Sequence, residues 1–490
     1  MDMTSTVSRR LFLQQAGALT SAGLGAGYAT ALNLAAMGSA SAQSAGDQKA
    51  LVCVYLAGGN DSFNTVLPTD DLSWKNYAQT RTQQPESIVL PRDKVLALYP
   101  AVAYERTIAL HPQLKQMQRL FNSERRLAVL ANVGTLIEPL SKAQYVQKTR
   151  RVPPKLFSHN DQATTWQALG PEGASIGWGG RIADIVAGSN SSSLFTAISA
   201  AGNTVWLSGS SVRQYQLGLS GPVTYGYRVG SDGRPTLNSN VAADVLIRVA
   251  KRDNIGPFGA DLSSVAARSI SAEQTLRSAL PSSADSRLGV DSEMNYISPV
   301  TGQTRVNPLA RQLRVIARML AARDTLGLKR QVFFVQAMGF DTHDGQMNRH
   351  AELLSSLDHA FNYFDETLGR LNMRDSVTTF TASDFGRTFT SNGDGTDHGW
   401  GGHHFIMGGA VKGGRVLGEL PVLGTKNLSD NWFDSSPNQV FNGALLPTTS
   451  VEQYGAAMAR WMGIADSQLS SVFPNIGNFS SSGIPSPFAA

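Results

Sequence analysis

The residues able to carry chemistry are densest between Thr381 and His404, where Thr-Ala-Ser-Asp-Phe-Gly-Arg is followed by a polar spacer and Gly-Thr-Asp-His-Gly-Trp-Gly-Gly-His-His. This stretch holds Asp384, Asp397 and Arg387, with three of the eight histidines, His398, His403 and His404. Related residue types recur in Gly58-Gly59-Asn60-Asp61, in Gly339-Phe340-Asp341-Thr342-His343-Asp344 and in Phe157-Ser158-His159-Asn160. Carboxylates mixed with neutral imidazoles suit Zn, Mn or Fe, and a site with several carboxylates also takes Mg or Ca. Asp61, Asp341, His343, Asp384 and His398 are therefore candidate ligands for one or two divalent ions, able to polarise a phosphoryl or sulfuryl oxygen. His350 and His359 are expected at solvated positions on a helix, and His111 in a structural role. Asp384-Phe385-Gly386 matches a short kinase motif, but no catalytic loop or upstream lysine strand accompanies it.

For ligands so far apart in sequence to meet, the chain must bring loop ends together. Leu51–Leu56, Arg126–Asn132, Gln331–Ala337 and Val377–Thr381 are apolar, β-branched runs that read as buried strands, and acidic residues follow three of them. Helical spacing separates them: Leu309, Leu313, Ile316 and Leu320 follow an Asn307-Pro308 start, and Leu354, Leu357, Phe361, Phe364 and Leu368 follow in turn. Strands alternating with helices predict an α/β fold, a doubly wound, mostly parallel sheet with helices on both faces. Such sheets bind ligands beyond the C-terminal ends of their strands. Residues 186–305, rich in Ser, Gly, Asn and Thr, read as an insertion over the sheet edge that caps the site. Ser158 or Asn160 is placed to cap a helix. That segment is a candidate for a nucleophile or an oxyanion site, the alternative being that Ser158 is only the cap and His159 a surface residue.

At 490 residues, 42% hydrophobic and 16% charged, the chain can bury one large core or two moderate ones. A formal charge of +5 with scattered Lys and Arg gives no argument for nucleic acid. The first 42 residues read as a twin-arginine signal peptide: Ser8-Arg9-Arg10-Leu11-Phe12-Leu13, an Ala/Gly-rich run, then Ala40-Ser41-Ala42. Residues 43–490 are expected as a single domain, periplasmic or secreted, with no stable transmembrane anchor once the signal is cleaved. Cys53, the one cysteine, lies in an apolar run and reads as a buried strand residue.

Gly-Gly-Asn-Asp after the first strand, Leu-Phe-Ser-His, Phe-Asp-Thr-His-Asp, Ser-Asp-Phe-Gly-Arg-Thr, Gly-Thr-Asp-His-Gly-Trp and Val-Lys-Gly-Gly together resemble the exported bacterial family called domain of unknown function 1501, from about Leu51 to Phe479. That family is grouped by fold with the alkaline phosphatase, sulfatase and cofactor-independent phosphoglycerate mutase superfamily. The resemblance implies that Asp61, Asp341, His343, Asp384 and His398 hold metal and that Ser158, preceding a helix, is the nucleophile. The sequence departs from that pattern at Phe385, where the enzymes carry a metal-binding histidine, and His403 or His404 is the candidate replacement. Arg387 is expected to hold the anionic group of a small ester substrate. Two functions follow: a metal-dependent hydrolase of phosphate or sulfate esters, or a non-catalytic periplasmic binding or assembly protein on the same fold.

Overall fold

The computed structural model describes residues 48–222 except 84, residues 257–480 and 486–488, and the isolated positions 245, 248 and 249. The signal segment expected over residues 1–42 lies outside the described residues, as does most of the helical patch near 241–250.

The apolar runs form strands because both of their faces are covered. The strands that build the central sheet and the site are β1 (Lys49–Ala57), β2 (Leu127–Gly134), β3 (Ala197–Ser199), β4 (Tyr215–Gly218), β5 (Gly221–Pro222), β6 (Arg330–Met338) and β7 (Val377–Ser383), followed by β8 (Arg387–Ser391) and β9 (Thr396–His398), which form a hairpin of their own. Then come β10 (Gly402–Met407), β11 (Arg415–Leu417) and β12 (Thr449–Ser450). The central sheet runs β11-β2-β10-β7-β1-β6-β3-β4-β5, with β12 paired to β2. Its middle is parallel, β7 and β6 flanking β1, whereas β10 runs antiparallel to both β7 and β2. The fold is therefore α/β around a mostly parallel mixed sheet. Part of the Ser/Gly-rich stretch lies in this sheet and not over it, since β3 pairs with β6 and β4 with β3.

Side chains of a strand alternate between faces, and β1 divides the interior accordingly. Ala50, Val52, Val54 and Leu56 enter a core shared with α2 (Lys115–Asn122), α5 (Pro308–Ala321) and α6 (Gln346–Arg370). Leu51, Cys53 and Tyr55 enter a second core with α3 (His159–Ala168), α4 (Trp178–Val186) and α7 (Val451–Trp461). A further helix, α1 (Asp71–Arg81), packs over the loop after β1. Local signals set the helix starts: the Asn307 side chain accepts from the Leu309 and Ala310 amides ahead of Pro308, and Ser450 with Gln453 forms a capping box. Among the described residues no helix is long and apolar enough to cross a membrane.

Register brings the chemistry together. Ala57 of β1 pairs with Met338 of β6, and Leu56 with Ser383 of β7, so three strands end side by side. Gly58 and Gly59 follow β1 with φ of 114° and 89°. A Cβ on Gly58 would lie 2.3 Å from the Asp341 amide nitrogen, and one on Gly59 2.4 Å from the Phe385 ring. Glycine is required at both, because the three strand ends approach too closely for a side chain.

Candidate metal centre

Asp341 lies three residues beyond β6 and Asp384 one beyond β7, on loops held together by that register. His398 ends β9 directly opposite Arg387 of β8. The fourth contributor is His159, the first residue of α3, and its participation corrects its reading as a surface residue. Its Nδ1 lies 2.7 Å from Asp384 Oδ2, and its Nε2 is 3.4 Å from Asp341 Oδ2. His398 Nδ1 donates to the Phe157 carbonyl at 2.7 Å, while its Nε2 is 3.5 Å from Asp341 Oδ1. His343 Nε2 lies 3.1 Å from Asp341 Oδ1 and 2.9 Å from His398 Nε2, and its Nδ1 is 3.4 Å from Asp397.

Both His159 and His398 present Nε2 to the same space because Nδ1 is engaged elsewhere. An acceptor at Nδ1 fixes the N–H there and leaves Nε2 with its lone pair, which is how metal-binding histidines are oriented. The Phe157 carbonyl is aimed by an unusual backbone: this bulky residue has φ of 72°, a left-handed conformation that costs energy outside glycine and clusters at functional sites. Phe385, which stands where a histidine was expected, packs its ring 4.7 Å from both His159 and His398 and wedges the two imidazoles.

Among the described residues, His159, Asp341 and His398 form a group whose ligand atoms all lie within 4.8 Å of one another. The fit to a divalent ion rests on that donor set and on one orphaned atom, since His159 Nε2 is buried and makes no hydrogen bond. Electrostatics agree in part. Burial lowers the pKa of His398 and favours the neutral, ligating form. The hydrogen bond that His159 donates to Asp384 raises its own pKa, so a proton competes for its Nε2. Burial pushes the Asp341 carboxyl up, but its pairing with Arg387 outweighs this and holds it below the usual carboxylate range.

Several expected site residues lie elsewhere. Asp61 is fully buried in a two-pronged pair with Arg81, Oδ2 to Nη1 2.6 Å and Oδ1 to Nη2 2.9 Å, and it also accepts from Gln346 at 2.6 Å and the Phe63 amide at 3.2 Å. Four donors fill its lone-pair directions, so it is no metal ligand. His404 is buried between Trp166 and Tyr454 on the far face of β10, and His403 accepts from the Asn132 amide at 3.0 Å. Burial takes their pKa values down to about 3 and about 4. Neither replaces a ligand. Both belong to a strand buried on both faces, so alternation turns each into a core. Ser158 Oγ donates to Asp161 at 2.8 Å, and it is its neighbour that enters the cluster. Arg387, expected to grip substrate, is fully buried: Nη1 donates to Asp341 at 2.5 Å and to the Gly58 carbonyl at 3.2 Å, while Nε and Nη2 bind Thr396. It positions Asp341. Asp384 orients His159, so its place is behind the ligands. His350, expected in solvent, is buried with Nε2 3.0 Å from Asn60 Oδ1.

An α/β sheet with aspartates and histidines gathered beyond its strand ends defines a protein with a candidate metal centre. The chain belongs to the DUF1501 family, described as proteins of unknown function, whose model matches residues 48–473. No curated protein matches it. Solved structures to which it is similar include Ps i-CgsB in complex with k-i-k-neocarrahexaose, at 11% identity over 88% of this chain and 77% of that one, with a TM-score of 0.32. Another is BT33494S-sulf, from work on glycosaminoglycan metabolism by Bacteroides thetaiotaomicron, at 10% identity, 78% and 71% coverage and a TM-score of 0.26. At those values neither likeness assigns a reaction to this chain.

Proposed function

We propose that this protein is an exported hydrolase of phosphate or sulfate esters that works with one divalent ion held by His159, Asp341 and His398. The observation that carries the reading is the convergence of two Nε2 atoms and one carboxylate within 4.8 Å, each imidazole fixed from behind. An ion there would supply Lewis-acid polarisation of an ester oxygen and of water. The remaining roles belong to side chains. Arg387 keeps Asp341 ionised and in place, and Asp384 and the Phe157 carbonyl hold the imidazoles in their ligating tautomer. His343, its side chain 42% exposed and close to Asp397, is placed to hand a proton to the departing alkoxide. Water supplies the new oxygen on phosphorus or sulfur, the ester O–P or O–S bond breaks, and the alcohol leaves with the proton. Ser158 takes no part.

The paired Arg9-Arg10 and the Ala40-Ser41-Ala42 cleavage pattern support export by the twin-arginine route, and a single cysteine, buried as Cys53, suits a protein folded before transport. The test uses the full chain stripped with chelator and reloaded with Zn, Mn, Mg or Ca, assayed on aryl phosphates and aryl sulfates. Cleavage by a loaded form, lost in His398→Ala, is the expected result. Folded, loaded protein that cleaves no ester would overturn the reading and favour a non-catalytic binding protein on this fold.

A further inference from the structure

At the end of α3 remote from His159 lies a pocket of about 240 Å³ that shares no residue with the metal centre. Its walls are mostly apolar, built by Leu136, Ile137, Pro153, Pro154 and Leu169, and Glu452 is the one carboxylate in its lining. Glu452 is the second residue of α7 and only 1% exposed. Its carboxyl oxygens accept from the Asn475 backbone amide and from Asn475 Nδ2, each at 2.8 Å. A carboxylate offers about four acceptor directions, and these bonds leave the others open.

What Glu452 lacks is a countercharge. The cation that acts on it is Arg181 of α4, but that guanidinium is spent on the carbonyls of Val472 at 2.9 Å and Ala168 at 3.3 Å, and among the described residues Glu452 has no ion-pair partner. Burial raises its pKa to about 7, against the hydrogen bonds from Asn475 and the charge of Arg181. The other charged residue of the lining, Arg151, stands at the rim with its side chain 69% exposed and Nε 3.7 Å from Glu138 Oε1. Buried carboxylates are normally paired, because a lone one keeps its full desolvation cost. An ammonium entering the pocket offsets that cost, whereas a neutral hydroxyl does not. The apolar walls suit a short hydrocarbon stem behind such a head.

We propose that this pocket is a binding site for a primary alkylammonium group, its head on the open acceptor positions of Glu452 and its stem against Leu136, Ile137, Pro153 and Leu169. The site goes beyond the hydrolase reading, does not depend on it and is tested by binding alone. The experiment measures binding of n-butylamine, Nα-acetyl-lysine amide and 1-butanol to the intact protein at neutral pH by ligand-observed NMR. The variants are Glu452→Gln, which removes the charge, and Ile137→Trp, which fills the pocket without touching the partners of the carboxylate; thermal unfolding checks that each is folded. Expected is saturable binding of an amine at least about tenfold tighter than that of the alcohol, weakened about tenfold in Glu452→Gln and lost in Ile137→Trp. Tighter binding of n-butylamine identifies a free amine as the ligand, tighter binding of the lysine derivative a lysine side chain, and either upholds the site. No amine binding, equal binding of amine and alcohol, or amine binding unchanged in folded Glu452→Gln would overturn it. Should Glu452→Gln not fold, Ile137→Trp decides, and amine binding retained there would overturn the proposal equally.

Discussion

Two aspartate–arginine pairs stand at neighbouring strand ends, Asp61 with Arg81 after β1 and Asp341 with Arg387 after β6. In the first, both partners are fully buried, and the five N–H groups of Arg81 are spent on Asp61, Asn64 and the carbonyls of Thr388 and Phe389. In the second, only the arginine is sealed. The Asp341 side chain is 42% exposed, and its carboxylate faces three histidines. The same two residue types thus make a closed internal charge pair in one place and an open ligand in the other. What separates them is the number of donors already spent on the carboxylate, a quantity fixed by packing.

The contrast breaks most visibly at Arg81. Arg81→Met leaves Asp61 buried without a partner and is expected to destabilise the fold by about 3–5 kcal/mol in urea unfolding, while Asp61→Asn/Arg81→Met recovers most of that. A loss under about 1 kcal/mol for the single variant would mean the pair is not closed.

Acid should sharpen the same distinction. Burial favours the protonated form of Asp61, but Arg81 outweighs it and holds the carboxyl below its ordinary value. The unfolded chain therefore takes up the proton first as pH falls, so the contribution of Asp61 is whole above the ordinary carboxylate range and is lost through the lower, folded pKa. Stability followed by denaturant titration from neutral pH to pH 2 should fall less steeply in Asp61→Asn/Arg81→Met than in the wild type. Equal slopes would remove Asp61 from the acid response.

The smallest effect is expected behind the open pair. Asp384→Asn keeps the shape around His159 but no longer fixes its Nδ1–H, and Zn affinity should drop by about 10–100-fold. Calorimetric titration showing unchanged affinity would mean that His159 needs no orientation.

The sheet was legible because β1, β2, β6 and β7 are buried on both faces and so read as unbroken apolar runs, and because helices such as α5 carry their caps in sequence. Asp341 and His398 were legible as site residues from residue type and from their place after strands. Asp61 reads identically in sequence, and nothing local reveals that Arg81, twenty residues on, and Gln346, on a distant helix, will occupy it. His159 was missed for the opposite reason. As the first residue of a helix after two prolines it looks like surface, and only the folded loop turns it toward Asp384. A signal was present in its position next to Ser158, already singled out as a helix cap facing a site. His403 and His404 misled because an adjacent pair on a doubly buried strand looks the same as a pair of ligands.

Stoichiometry is the direct test of a one-ion centre built on His159. Zn titrated into the metal-free protein, with elemental analysis of the product, should give one ion per chain in the wild type and in Asp61→Asn/Arg81→Met, with affinity reduced at least about 100-fold in His159→Ala. Two ions per chain, or binding in His159→Ala as tight as in the wild type, would contradict it.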